Sequence, residues 1–282
     1  MRKHLLWLIT LSLAFGLLLA ESPDIATLKE ILNKAKSGDI EAQFQMSGYY
    51  AEGIGVEEDA SEAMRWMREA ATGGHTEAQY RMGAFYSHDI SEAVQWFTKA
   101  GQNGHLAAQK YLGTHYAGSG KDEEKAFQWF LMAAQQHDVE NAYEVGNMYF
   151  YGLGTEADHD VAFEYYRLAA EADYVPALVA VGECYLDGEG VAQDGKKAFK
   201  AFTQAAASNN ASALYNLGYC YHTGQGTKMN TIRANAMYQL AVHFANENQK
   251  AAFQKYVDDT AAKLSLVDRA KADKIRDEWL GR

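Results

Sequence analysis

One interval recurs through this chain: twenty residues separate an alanine early in one helical stretch from a glycine inside the next. Ala63, Ala93, Ala126, Ala162 and Ala198 are followed at that distance by Gly83, Gly113, Gly146, Gly182 and Gly218. A spacing kept five times predicts a stack of two-helix units, each burying its apolar face on its neighbours because no unit has a core of its own. Function is therefore expected on a surface that several units build together.

The internal logic of one unit follows from a reference residue in its first helix (helix A): Ser47, Gly83, Gly113, Gly146, Gly182 and Gly218. One position earlier stands an aliphatic side chain (Met46, Met82, Leu112, Val145, Val181, Leu217), and three positions later a tyrosine (Tyr50, Tyr86, Tyr116, Tyr149, Tyr185, Tyr221). Residues four apart share a helix face, so both sets are expected in the core. A glycine beside them is unfavourable in a helix interior and points to close approach of the second helix (helix B). Asp59, Asp89, Asp122, Asp158, Asp194 and Asn230 each stand four residues before the recurring alanine of helix B, at positions 63, 93, 126, 162, 198 and 234. Their side chains suit the N-cap, where unpaired N–H groups need an acceptor. Eleven residues past that alanine, Gly74, Gly104, His137, Asp173 and Asn209 are residue types that tolerate a left-handed close. Gly38 fills the same role earlier, so residues 21–40 read as a capping half-repeat before a six-unit array at 41–246.

Helix A ends in Gly-x-Gly in four units, at Gly53/Gly55, Gly152/Gly154, Gly188/Gly190 and Gly224/Gly226. The distance from reference residue to alanine is 16 in those units but 10 in the second and 13 in the third. Deletions confined to this turn predict that it lies on a free edge and carries none of the stack. Residues 247–282 read as two further helices closing the last open face, with Ser265 as the cap between them.

Residues 1–20 have a different character. Arg2 and Lys3 precede an apolar run from Leu5 to Leu19, and Ala20 stands before Glu21-Ser22-Pro23-Asp24. This is the pattern of a secretory signal peptide, cut after Ala20 or after Ser22; the expected destination is the periplasm or the medium. Residues 21–249 carry 16 basic and 31 acidic side chains, a charge of −15. Such a surface repels phosphate backbones and anionic membranes and favours a protein partner with a basic segment. Cys184 and Cys220 occupy equivalent places in consecutive units. Stacked helices hold such positions about 8–10 Å apart, beyond the reach of a disulfide, so two buried free thiols are expected.

The string Ala-x-x-x-Leu-Gly-x-x-Tyr-x-x-Gly-x-Gly-[Val/Thr]-x-x-Asp-x-x-x-Ala, with Trp and paired alanines behind it, resembles the Sel-one-like repeat, a relative of the tetratricopeptide repeat. The resemblance covers about Glu41 to Asn246 and departs at Ser47, Asn141, Ala201 and Met237. It implies an all-α fold, an α/α solenoid of about six repeats with helical caps, wound as a right-handed superhelix with A helices on the concave side. It also implies an adaptor or regulator, often exported in bacteria, with no catalytic residues to carry over.

Particular chemistries receive little support. Each Gly-x-Gly follows a helix, whereas a nucleotide loop needs a preceding strand and a third glycine. No serine has a lysine three residues later, which removes the Ser-x-x-Lys nucleophile. The nine histidines show no zinc spacing, and His75 and His105 read as turn residues. No metal, cofactor or enzymatic activity is expected. Asn210-Ala211-Ser212 is a glycosylation sequon that matters only in a eukaryotic host.

What remains is the helix-A face opposite the core, three before, one after and four after the reference residue. Tyr80, Tyr143, Asn147, Phe150, Tyr215 and Tyr219 fall there and are the candidate partner-binding residues. The same rings could equally pack on the next A helix. The expected function is a non-catalytic interaction scaffold or regulator of the bacterial cell envelope; the alternative is a protein facing peptidoglycan or other carbohydrate.

Overall fold

The computed structural model describes residues 23–118 and 120–281, and its regular elements are all helices. They are α1 (Ile25–Lys36), α2 (Ile40–Glu52), α3 (Ala60–Gly73), α4 (Thr76–Phe85), α5 (Ile90–Gln102), α6 (Leu106–Ala117), α7 (Glu123–Ala134), α8 (Val139–Tyr151), α9 (His159–Ala170), α10 (Val175–Asp187), α11 (Gly195–Ala206), α12 (Ala211–Thr223), α13 (Thr231–Phe244), α14 (Glu247–Ala262) and α15 (Leu266–Leu280). α1 is the half-repeat, the pairs from α2/α3 to α12/α13 are the six repeats, and α14 and α15 follow them. The export signal read at residues 1–20 lies outside the described residues. Among these no helix is long and apolar enough to cross a membrane. The chain divides into two compact units between Met132 and Ala133, within α7.

The repeat pattern is realised in both units. The aliphatic residue before the reference position is buried throughout, and Met46, Met82, Leu112 and Val145 are fully so. All six expected acidic or amide residues cap helix B, each accepting an N–H of the first turn. His137, Asp173 and Asn209 take positive φ (65°, 58° and 57°) as the left-handed close requires. The reference glycine is explained by a ring: a Cβ at Gly83, Gly146 or Gly218 would meet Phe97, Tyr166 or Tyr238 at 2.7, 2.6 and 2.8 Å. In the first repeat the ring is replaced by Met67, and there the reference residue is Ser47, its Oγ donating to the Phe44 carbonyl at 2.9 Å. A flexible thioether makes room for the extra atoms that a flat ring excludes.

Two expectations are revised. The tyrosines three past the reference residue pack against the core clusters but are only half-buried. Several lie under a cation, with Lys125 over Tyr116 at 5.2 Å, Lys197 over Tyr185 at 4.9 Å and Arg233 over Tyr221 at 5.6 Å. Their backbones close the turn: the carbonyls of Tyr50, Tyr86, Tyr116, Tyr149, Tyr185 and Tyr221 accept the N–H of the helix-B cap residue at 2.7–2.9 Å. That bond survives both deletions, which shows how a turn can lose residues and still launch helix B correctly. The turn is also not a free edge everywhere. In the C-terminal unit a Cβ at Gly190 would strike the His159 carbonyl, and one at Gly226 the Gly195 carbonyl, so each turn lies on the start of the preceding helix B.

In the N-terminal unit, Gln43, Gln79 and Gln109 are buried four residues before the reference position. Each Nε2 donates back to the carbonyl eight residues earlier, at Ala35, Ala71 and Gly101 (3.2, 3.1 and 2.9 Å). In the C-terminal unit the same position is Ala142, Leu178 and Leu214, all buried. The core there continues from Leu178 and Phe202 through Leu214, Leu217 and Leu240 to Phe253 and Ala272 of α14 and α15. Cys184 and Cys220 are buried free thiols. Burial pushes their pKa values up to about 12 and about 11, so both stay protonated and unreactive.

Candidate interaction face

Whether a helix-A side chain is open depends on what the next helix brings against it. In the N-terminal unit, His75 and His105 are N-caps: Nδ1 accepts from Ala78 and Ala108 at 3.1 and 3.3 Å. An accepting Nδ1 puts the ring hydrogen on Nε2, which lies 3.1 Å from Glu41 and Glu77 of the preceding A helix. Each ring also stacks on the aromatic residue three before the reference position, Phe44 at 4.1 Å and Tyr80 at 4.2 Å. Burial pushes the Glu77 carboxyl up, but hydrogen bonds from His105 and Arg81 outweigh it and hold it below the ordinary value. Tyr80 is thus braced between His105 and Phe97, the latter at 5.5 Å.

In the C-terminal unit the analogous brace is looser. Tyr143 meets Tyr174 edge-on at 5.6 Å and tilts against Tyr166 at 5.7 Å. Tyr174 is the N-cap of α10, but its side chain makes no cap bond, and Pro176 stands in the first turn. Beside this pair Tyr166 donates its hydroxyl to Asn147 Oδ1 at 2.9 Å, and Asn147 Nδ2 reaches Glu144 at 3.3 Å. Phe150, half-buried, stacks on His159 at 4.6 Å, and Tyr151 beside it is 67% exposed. One repeat on, Asn216 donates to Glu183 Oε1 at 2.9 Å. Glu183 is exposed, yet the protein packed on its other side desolvates the carboxyl; that, moderated by the Asn216 bond and reinforced by Asp187, pushes its pKa up.

Tyr215 is seated under α14, stacked on Phe253 at 4.8 Å and edge-on to Tyr256 at 5.0 Å. Tyr219 is half-buried at the edge of the same cluster. One turn on, His222 lies 3.2 Å from Lys263, and burial followed by that charge lowers its pKa. The structure therefore gathers Tyr143, Asn147 and Phe150 around α8, places Tyr215 and Tyr219 on α12, and leaves Tyr80 in the N-terminal unit. The Asn216–Glu183 pair was not legible in the sequence, because nothing in the repeat pattern ties Asn216, two residues before a reference glycine, to the neighbouring repeat. The carboxylate-and-amide chemistry can orient backbone and basic groups of a bound chain, and the rings can flank its side chains.

Comparison with known proteins agrees with this architecture. The Sel1 repeat model matches residues 40–75, 76–105, 106–138, 142–174, 175–210 and 211–243, the six helix pairs described above. Sel1 repeats are generally protein–protein interaction scaffolds, and their fold is typically non-catalytic. A protective antigen present in uropathogenic Escherichia coli strains and displaying an SLR fold is 25% identical, with a TM-score of 0.65. The match covers 99% of this chain and 60% of that one, so this chain spans less than two thirds of its length. A Sel1 repeat protein from Oxalobacter formigenes is 28% identical with a TM-score of 0.52, over 88% of this chain and 75% of that one. No curated protein matches the chain.

Proposed function

Because the chain belongs to the Sel1 repeat family, we propose that it is a non-catalytic interaction module holding a segment of a partner protein on the helix-A face of its C-terminal unit. The observation that supports this reading is the pairing of half-open rings with polar groups oriented in advance: Phe150 and Tyr143 beside the Tyr166–Asn147 bond, and Glu183 held by Asn216. Groups ordered before binding lose less entropy when a partner arrives. Tyr219 borders the face and Tyr215, stacked on Phe253, supports the fold beneath it, while Tyr80, stacked on His105, packs within the N-terminal unit. The excess of acidic residues over 21–249 and the Glu183 carboxylate favour a partner segment carrying Lys or Arg.

Residues 1–20 direct this module to the cell envelope, where it acts as a scaffold or regulator; fractionation of the native host, with N-terminal sequencing of the product, tests this. A photo-crosslinking residue at Phe150 or Tyr219 should form an adduct with a protein, and one at the exposed Lys200 of α11 should not. Glu183→Gln should weaken the Phe150 adduct severalfold. Equal adducts at all three positions would defeat the reading. Adducts to glycan strands alone would transfer it to a peptidoglycan-facing role, since exposed rings also stack on sugars.

A further inference from the structure

The glutamines of the N-terminal unit are not equally satisfied. Gln79 donates through Nε2 to the Ala71 carbonyl, and its Oε1 accepts from Asn103 Nδ2 at 2.9 Å. Asn103 is the residue just before the left-handed Gly104 that closes helix B of the same repeat. One repeat earlier Gln43 repeats the first half of this arrangement, with Nε2 donating to the Ala35 carbonyl, which fixes the orientation of its amide. The place of Asn103 is taken there by Gly73, just before the left-handed Gly74. Gln43 Oε1 is consequently buried with no partner, on a side chain only 8% exposed. A hollow of about 460 Å³ is lined by Gln43, Gly73, Ile40, Arg68, Glu69 and Thr72 among others; Oε1 itself lies just beneath its surface, so a donor reaches it when Ile40, which fills the space beside Gly73, turns aside.

We propose that this hollow is a binding site for a primary carboxamide, the group that Asn103 supplies from within the chain in the second repeat. A buried amide oxygen left unpaired is destabilising, so a donor bound there would stabilise the fold. The hollow's charges select which donor. Arg65, tied to Glu62 and Glu69 at 2.7 and 2.6 Å, and Arg68, whose Nη2 donates to Tyr86 Oη at 3.3 Å, both line it. An ammonium would give Gln43 a donor, but it would stand beside Arg68 and could reach the Glu69 carboxylate only in competition with the Arg65 guanidinium already held there. A carboxylate would satisfy the guanidinium groups but offer no hydrogen to Gln43 Oε1. A neutral carboxamide donates to Gln43 and accepts from an arginine N–H. Its source is an Asn or Gln side chain of a bound polypeptide or a free small amide.

The test is an NMR titration of the full chain, following the Gln43 side-chain amide and the Gly73 N–H. The probes are N-acetyl-glutamine methylamide, propionamide and N-acetyl-glutamate methylamide. Saturable shifts confined to residues around Gly38–Gln43 and Arg65–Gly73 are expected with the glutamine probe, at least tenfold weaker with the glutamate probe. Propionamide binding as tightly identifies a free amide as the source, and weaker binding identifies a polypeptide side chain. The double variant Ile40→Thr/Gly73→Asn installs the second repeat's residues, the first change making room for the asparagine that would otherwise strike Ile40. It should lose binding at least tenfold. Gln43→Leu, which carries the residue used at Leu178 and Leu214, should do the same should the double variant not fold. Absence of saturable shifts with either amide, equal binding of the glutamate probe, or binding retained by a folded variant would overturn the proposal.

Discussion

Four residues before the reference position the N-terminal unit places Gln43, Gln79 and Gln109, and the C-terminal unit places Ala142, Leu178 and Leu214. The first set joins each A helix to the end of the preceding helical element through a directional bond to a carbonyl. The second set packs without direction. The turns differ in the opposite sense. Gly190 and Gly226 press the C-terminal turns onto the preceding repeat, whereas the second repeat has lost its glycine pair altogether. One unit thus gains registry from buried amides and the other from close backbone contact at its edge. A polar device is sensitive to the loss of any member, as Gly73 shows by leaving Gln43 half-satisfied; an apolar device tolerates substitution so long as volume is kept.

The comparison breaks most severely at the reference glycine. Gly182→Ala, in a site where Phe202 lies flat on the backbone, should destabilise the C-terminal unit by about 3 kcal/mol in urea denaturation. Adding Phe202→Met, which copies the Ser47/Met67 arrangement, should recover more than half of that loss; no recovery would mean that the ring is not what excludes a Cβ. Gln79→Leu should cost about 2 kcal/mol, because the Ala71 carbonyl and the Asn103 amide both lose their partner. A neutral result would show that the amide bonds contribute nothing beyond filled volume.

Tyr174→His should move the other way. It would copy the caps at His75 and His105, with Glu140 in the place of Glu41 and Glu77, and raise stability by up to about 1 kcal/mol. A drop in melting temperature would show that the edge-on Tyr143–Tyr174 contact matters more than the missing cap. Mild acid gives the smallest effect and separates the units by sign. Glu77 has a lowered pKa, so its contribution is complete above the ordinary value of 4.5 and is lost as pH falls through the lowered one. Glu183 has a raised pKa, so protection of the C-terminal unit should rise slightly as pH drops from above that value toward 4.5. Hydrogen exchange followed by mass spectrometry at several pH values resolves the two units. Parallel responses would contradict the assignments.

Much of the fold was legible because the devices that end helices are local. Asp59, Asp158 and Asn230 cap the helices that follow them, and His137 and Asp173 take the left-handed turn, for reasons contained within a few residues of each. The candidate face was legible only as a set of positions. Whether Tyr80, Tyr143 or Tyr215 is open depends on what the next helix brings against it, and those partners stand between 25 and 38 residues away at His105, Tyr174 and Phe253. Tyr50 and its equivalents reach the core only with part of the ring, because helical spacing sets a shared face and not how wide the covered part of that face is.

The amino-acid sequence by itself determined the number of repeats, the boundaries of their helices, the burial of the aliphatic positions and the two free thiols. Each follows from spacing, from conformational preference or from a short-range hydrogen bond. Only the tertiary structure decided that a ring accounts for the reference glycine, that the glycine turns take part in the stack, and that Gln43 lacks the donor Gln79 has. Those outcomes depend on atoms brought together from different helices, and the direction of a side chain toward a distant neighbour is set by packing, which no local pattern encodes.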